Sequence, residues 1–137
     1  MNAALVAKES MSVISRIVEK LKKYPELDYV QEESSISVTP SGGFSVWLTE
    51  NDNNITVGFN GWHEEFTEQE GAFDCFAFGL SSECRLKVYS RGTTEYKWVV
   101  QALKEKEWYD DSETGLLFFP FWRKKQITYL QNGVIGN

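Results

Sequence analysis

At 137 residues, with 42% hydrophobic and 25% charged side chains, the chain has a globular composition and enough length to bury a core without disulfide staples. Twenty acids against fourteen Lys and Arg give a formal net charge of −6, which argues against a nucleic-acid partner, because phosphate binding runs on basic side chains. The single histidine, His63, excludes the zinc hydrolase sites that need two.

Lys8 and Glu9 interrupt the N-terminal apolar stretch, so no secretory signal is read there. No apolar run approaches the roughly 20 residues that cross a bilayer. Cys75 and Cys84 form neither a CxxC motif nor a disulfide framework. These features predict a reduced, cytoplasmic protein without a transmembrane segment.

Ala3 to Tyr24 reads as a long helix. Met11, Ile14, Val18 and Leu21, with Ile17 beside them, form one apolar stripe at three- and four-residue steps. Lys20, Lys22 and Lys23 complement the dipole of its last turn, and Pro25 stops it. Strand patterns follow. Ile36 and Val38 alternate with Ser and Thr before the turn Pro40–Gly43; Phe44, Val46 and Leu48 alternate next; and the polar turn Asn51–Asn54 leads to Ile55, Val57 and Phe59. This is an antiparallel meander with one apolar face. A second helix is predicted from Thr67, where Thr67 and Glu70 have capping-box spacing and Phe73, Phe76, Ala77 and Leu80 form the stripe.

Leu86 and Val88 alternate before a turn at Arg91-Gly92-Thr93, and Tyr96, Trp98 and Val100 continue the pattern. Trp108-Tyr109 begins a short segment, and Asp110–Gly115 reads as a solvated turn without the alternation or closing Glu of a calcium loop. Leu116–Phe119 is apolar throughout, as in a strand covered on both faces, and Pro120 marks an edge or bulge. Gln126–Leu130 alternates again, and the tail from Asn132 reads as frayed. The expected fold is one α+β domain over residues 1–137. It has an antiparallel meander of about six strands, a long N-terminal helix, and a second helix after the third strand packed on one face.

Three places could carry function. If the Asn51–Asn54 turn pairs Glu50 with Ile55, Trp47 lies opposite Gly58 on the Ser/Thr/Asn face, as a flat aromatic platform or as cover for the glycine backbone. His63, in Trp62-His63-Glu64-Glu65, is placed between strand and helix, where it could line a shallow pocket or simply solvate a loop. Adjacent Glu64 and Glu65 would face opposite sides of an extended chain, so neither a metal nor any cofactor is expected. Phe118–Lys125 sets Trp122 and Arg123 among aromatics and cations, as a protein or membrane interface would, or as a core strand followed by a basic turn.

Aromatics at 15% of the chain exceed what a small core requires and point to recognition. With the element order and the low pI of about 4.8, the layout resembles that of type III secretion chaperones, small acidic α/β homodimers that bind effector segments. It shares no motif with them and lacks their C-terminal helix, since Gln126–Leu130 reads as strand. Small bacterial immunity proteins, which neutralise toxins by acidic complementarity, are similar at the same coarse level. The sequence thus predicts a non-catalytic protein-binding role, with homodimerisation through an edge strand as one outcome. The alternative is a small enzyme or ligand binder with a pocket beside His63.

Overall fold

The computed structural model describes residues 12–135. Helix α1 (Val13–Leu21) opens on Ser12, whose Oγ accepts from the Ser15 amide at 3.1 Å and so satisfies one of the free donors of a helix start. Val13, Ile14, Ile17 and Leu21 are its buried face. The predicted upstream part of this helix, from Ala3, lies outside the described residues.

Five antiparallel strands form the first sheet in chain order: β1 (Tyr29–Gln31), β2 (Ser35–Val38), β3 (Val46–Glu50), β4 (Ile55–Phe59) and β5 (Trp62–Phe66). The expected register holds: Glu50 pairs with Ile55, and Trp47 with Gly58. The second helix, α2 (Gln69–Gly79), therefore follows the fifth strand and not the third. The chain turns at Asn60-Gly61, with Asn60 at φ 50°, and returns as β5. This strand holds the backbone extended through Phe66, and the helix cap falls on Glu68, whose side chain makes no capping bond. The Thr67 capping box is not formed. Glu70 instead pairs with Arg16 of α1 at 2.8 Å.

A second sheet replaces the single meander. Strands β6 (Cys84–Arg91), β7 (Thr94–Lys104), β8 (Glu107–Gly115) and β9 (Lys125–Leu130) are arranged β8-β7-β6-β9. The run Asp110–Gly115 belongs to the edge strand β8 and is not a turn. An edge open to water carries acids at little cost, and a bulge leaves Asp111 without a partner between the Val100–Ser112 and Gln101–Asp110 pairs. The β7–β8 turn is Glu105-Lys106, both with left-handed φ (52° and 70°). That backbone costs a side-chain-bearing residue about 1–2 kcal/mol, whereas Asn-Gly adopts it readily. Glu105→Asn with Lys106→Gly should therefore raise the unfolding free energy by about 1–2 kcal/mol in urea titrations; an unchanged midpoint would contradict this reading of the turn.

One buried cluster joins both helices to the inner faces of both sheets, with Phe44, Leu48, Phe59, Leu80 and Leu86 at its centre. Gly79 is required where α2 crosses β4, because a Cβ there would collide with the Phe59 ring. The end of the chain, read as frayed, is anchored as far as Ile135. The Val134 and Ile135 amides both donate to the Leu80 carbonyl (2.7 and 3.0 Å). The Asn132 side chain accepts from the Phe44 amide and donates to the Gly79 carbonyl, both at 2.9 Å. Gly136 and Asn137 lie outside the described residues.

Candidate functional site

The strand period of two splits the cluster expected around His63. Ser37, Trp47, Gly58 and His63 form one cross-strand row on the outer face of the first sheet, whereas Trp62 and Glu64 face inward. The Trp47 indole lies against Gly58, where a Cβ would strike the ring, and its Nε1 donates to the Asn60 carbonyl at 3.0 Å. One ring face and the N–H are thus committed to the sheet, which leaves the other face to solvent. His63 is exposed. Its amide donates to Thr114 Oγ1 at 3.3 Å, and its ring Nδ1 lies 3.4 Å from the Gly61 carbonyl. Among the described residues no carboxylate forms an ion pair with it. Glu65, on the same face, accepts from Asn54 at 3.3 Å.

Trp62 is buried, packs against Phe59 with centroids 4.6 Å apart and planes tilted by 31°, and donates from Nε1 to Ser112 Oγ at 3.1 Å. With Glu64, Asp74, Cys75 and Asp111 it lines a recess of about 270 Å³. Burial pushes the Cys75 thiol up to about 12, and the nearby Glu64 and Asp111 carboxylates add to the shift; burial raises Cys84 further. Both thiols are therefore protonated at neutral pH, and a protonated thiol is a poor nucleophile. Their folded pKa values lie above the unfolded value of about 8.5. The stability they confer is thus complete below that pH and is lost as pH rises toward about 12. We expect neither thiol to react with Ellman's reagent at pH 8 in the native protein, and both to react in guanidinium; prompt native reaction would contradict the raised thiol pKa values. Among the described residues no His, Cys, Asp and Glu group is arranged to hold a metal.

The loop from Leu116 to Trp122 behaves otherwise. Its base is pinned: the Leu116 amide donates to the Tyr96 carbonyl at 2.8 Å, and Phe119 stacks on Tyr96 with centroids 4.1 Å apart and planes at 12°. Its far end is closed by a turn in which Arg123 N–H donates to the Pro120 carbonyl at 3.0 Å. Between these anchors Leu117 is 91% exposed, Phe118 89%, Phe121 69% and Trp122 70%. Together with Phe119 these four line an apolar concavity of about 670 Å³. The expected strand covered on both faces is not present. Pro120 cannot donate to a ladder, and neither sheet nor helix passes over the segment. Burying one such side chain is worth about 1.5–3 kcal/mol, and these four are the most exposed large apolar side chains among the described residues. A monomer rarely exposes a contiguous patch of this kind without using it.

No family model, curated protein or solved structure matches the chain.

Beside the loop, the outer face of the second sheet is a lattice of cations on aromatic rings. The Arg85 guanidinium lies 4.5 Å from the Trp108 centroid and 4.4 Å from that of Tyr129. Lys87, Lys97 and Lys125 surround Tyr89 at 5.1, 5.0 and 5.3 Å. Net charge conceals this face. Residues 24–84 hold twelve acids and no Lys or Arg, whereas residues 85–137 hold nine Lys and Arg against six acids. The part of the chain holding the first sheet is therefore anionic, and in the second sheet the acids gather on β8 while β6 carries Arg85, Lys87 and Arg91 with no acid. The signal legible in sequence is the alternation Arg85, Lys87, Tyr89, Arg91 along one strand face. Trp122 and Arg123 join this region, Arg123 through its carbonyl, which accepts from Arg91 at 3.3 Å. Trp47, His63 and Glu65 lie together on the other sheet.

Proposed function

We propose that the chain is a non-catalytic binding protein that captures a protein partner on the Leu116–Trp122 loop and the cationic face beside it. The observation that carries this reading is the exposure of Leu117, Phe118, Phe121 and Trp122 on a loop pinned at both ends. A pinned loop has little ordering entropy left to lose on association. Trp and Arg are also the side chains that most often dominate interface energies. A holding role of the chaperone or immunity kind fits, but with the sign of the charge reversed: the cationic face of β6 selects an acidic partner surface. The homodimer reading rests on β9, an edge strand paired only with β6 and exposed along most of its length.

A small enzyme or ligand binder at His63 would need that imidazole inside the neighbouring recess, which Trp62 and Glu64 line instead. Among the described residues no helix is long and apolar enough to cross a membrane. Two free thiols favour a reducing compartment such as the cytoplasm.

The test is quantitative affinity capture from the source cells with tagged wild type and Trp122→Ala. Loss of a retained protein in the variant, by about tenfold or more, supports the reading. An identical retained set overturns it.

A further inference from the structure

The two-residue β6–β7 turn, Gly92-Thr93, packs against the end of the aromatic loop, and the Gly92 amide donates to the Lys124 carbonyl at 3.0 Å. Between turn and loop lies a recess of about 440 Å³ walled by Arg91, Thr93, Thr94, Pro120, Trp122 and Arg123. No carboxylate lines it. Arg91 and Lys125 are direct cross-strand partners, and like charges so placed destabilise a sheet. Among the described residues neither of these, nor Arg123 or Lys124, forms an ion pair, in a chain with six more acids than bases. The Arg91 guanidinium spends one N–H on the Arg123 carbonyl at 3.3 Å, and its Nε is shielded from water without an acceptor. Arg91 and Arg123 thus line a recess that also presents two hydroxyls and an indole wall, with Lys124 and Lys125 next to Arg123 in the chain.

We infer that this recess is a carboxylate subsite. It takes an acidic side chain or a C-terminal carboxylate from a protein segment whose neighbouring apolar side chain lies on Trp122. Planar guanidinium forks match a carboxylate through paired N–H···O bonds, the Thr93 and Thr94 hydroxyls donate to its remaining lone pairs, and the bound charge relieves the Arg91–Lys125 repulsion. The assignment rests on the partner-binding reading of the adjoining loop and gives that partner its chemistry.

Amide and indole resonances of Gly92, Thr93 and Trp122 report the test, in titrations with N-acetylphenylalanine, its neutral amide and inorganic phosphate. N-acetylphenylalanine should give saturable shifts, binding about tenfold or more tightly than the amide, with a similar loss in Arg91→Gln. Arg123→Gln serves as the second variant if Arg91→Gln unfolds. Equal binding of the neutral amide, or no saturable shift, overturns the subsite. Tighter binding of phosphate also overturns it, in favour of a phosphate-bearing ligand such as a lipid headgroup. A saturable carboxylate titration beside failed partner capture removes the partner reading alone, and the converse removes only the subsite.

Discussion

Phe59→Ala should lower the unfolding free energy by about 3–5 kcal/mol, the range for a phenylalanine deleted from a packed core. Its side chain is fully buried, between Phe44 at 5.5 Å, Trp62 at 4.6 Å and the backbone of Gly79. It therefore ties β4, the β5 hairpin and α2 together, and truncation leaves a cavity bounded by three elements that cannot all collapse. Gly79→Ala approaches the same contact from the helix side and should cost about 1–3 kcal/mol by overpacking. Combined with Phe59→Leu it should cost less than the two separate losses together, because the smaller ring site accommodates the new methyl. Urea titrations at constant slope report each value. A loss below about 1 kcal/mol for Phe59→Ala would remove Phe59 from the centre of the core.

The paired substitution Leu117→Ser with Trp122→Ser should do the opposite. Both side chains already face water, so unfolding free energy should stay within about 0.5 kcal/mol of wild type. Partner affinity should fall by about two orders of magnitude or more, since truncating an interface anchor costs about 2–4 kcal/mol and each 1.4 kcal/mol is tenfold. A segment serving as a core strand would reverse both outcomes: several kcal/mol lost from stability, and binding affected only through unfolding. Stability and affinity measured on the same preparation separate the two.

Local patterning carried much of the first sheet. The alternation at Ile36–Val38, Val46–Leu48 and Ile55–Phe59 gave three strands, and the Asn51–Asn54 turn gave the Trp47–Gly58 register. Strand β5 was hidden because His63, Glu64 and Glu65 interrupt the apolar alternation. Only Trp62 and Phe66 mark the inner face, although Asn60-Gly61 is itself a hairpin signal. Without that hairpin His63 reads as a loop residue and the helix start falls on Thr67. The acidic β8 was hidden because an edge strand has no apolar face to show. Leu116–Phe119 failed for a different reason: hydrophobicity reports a tendency to be covered, and says nothing of whether the fold supplies a cover. The cation–aromatic face depends on β6 pairing with β7 and, across a long connection, with β9. No short-range pattern encodes that pairing.

On the proposed reading, contact with the partner is made through the aromatic loop and not through the His63 face. A photo-crosslinking residue placed singly at Phe118 and at Thr56 tests it most directly, in the source cells under identical irradiation. Thr56 belongs to the outer face of the first sheet, beside Glu65. A discrete adduct with another protein is expected from position 118 and none from position 56. An adduct from position 56 alone would contradict it.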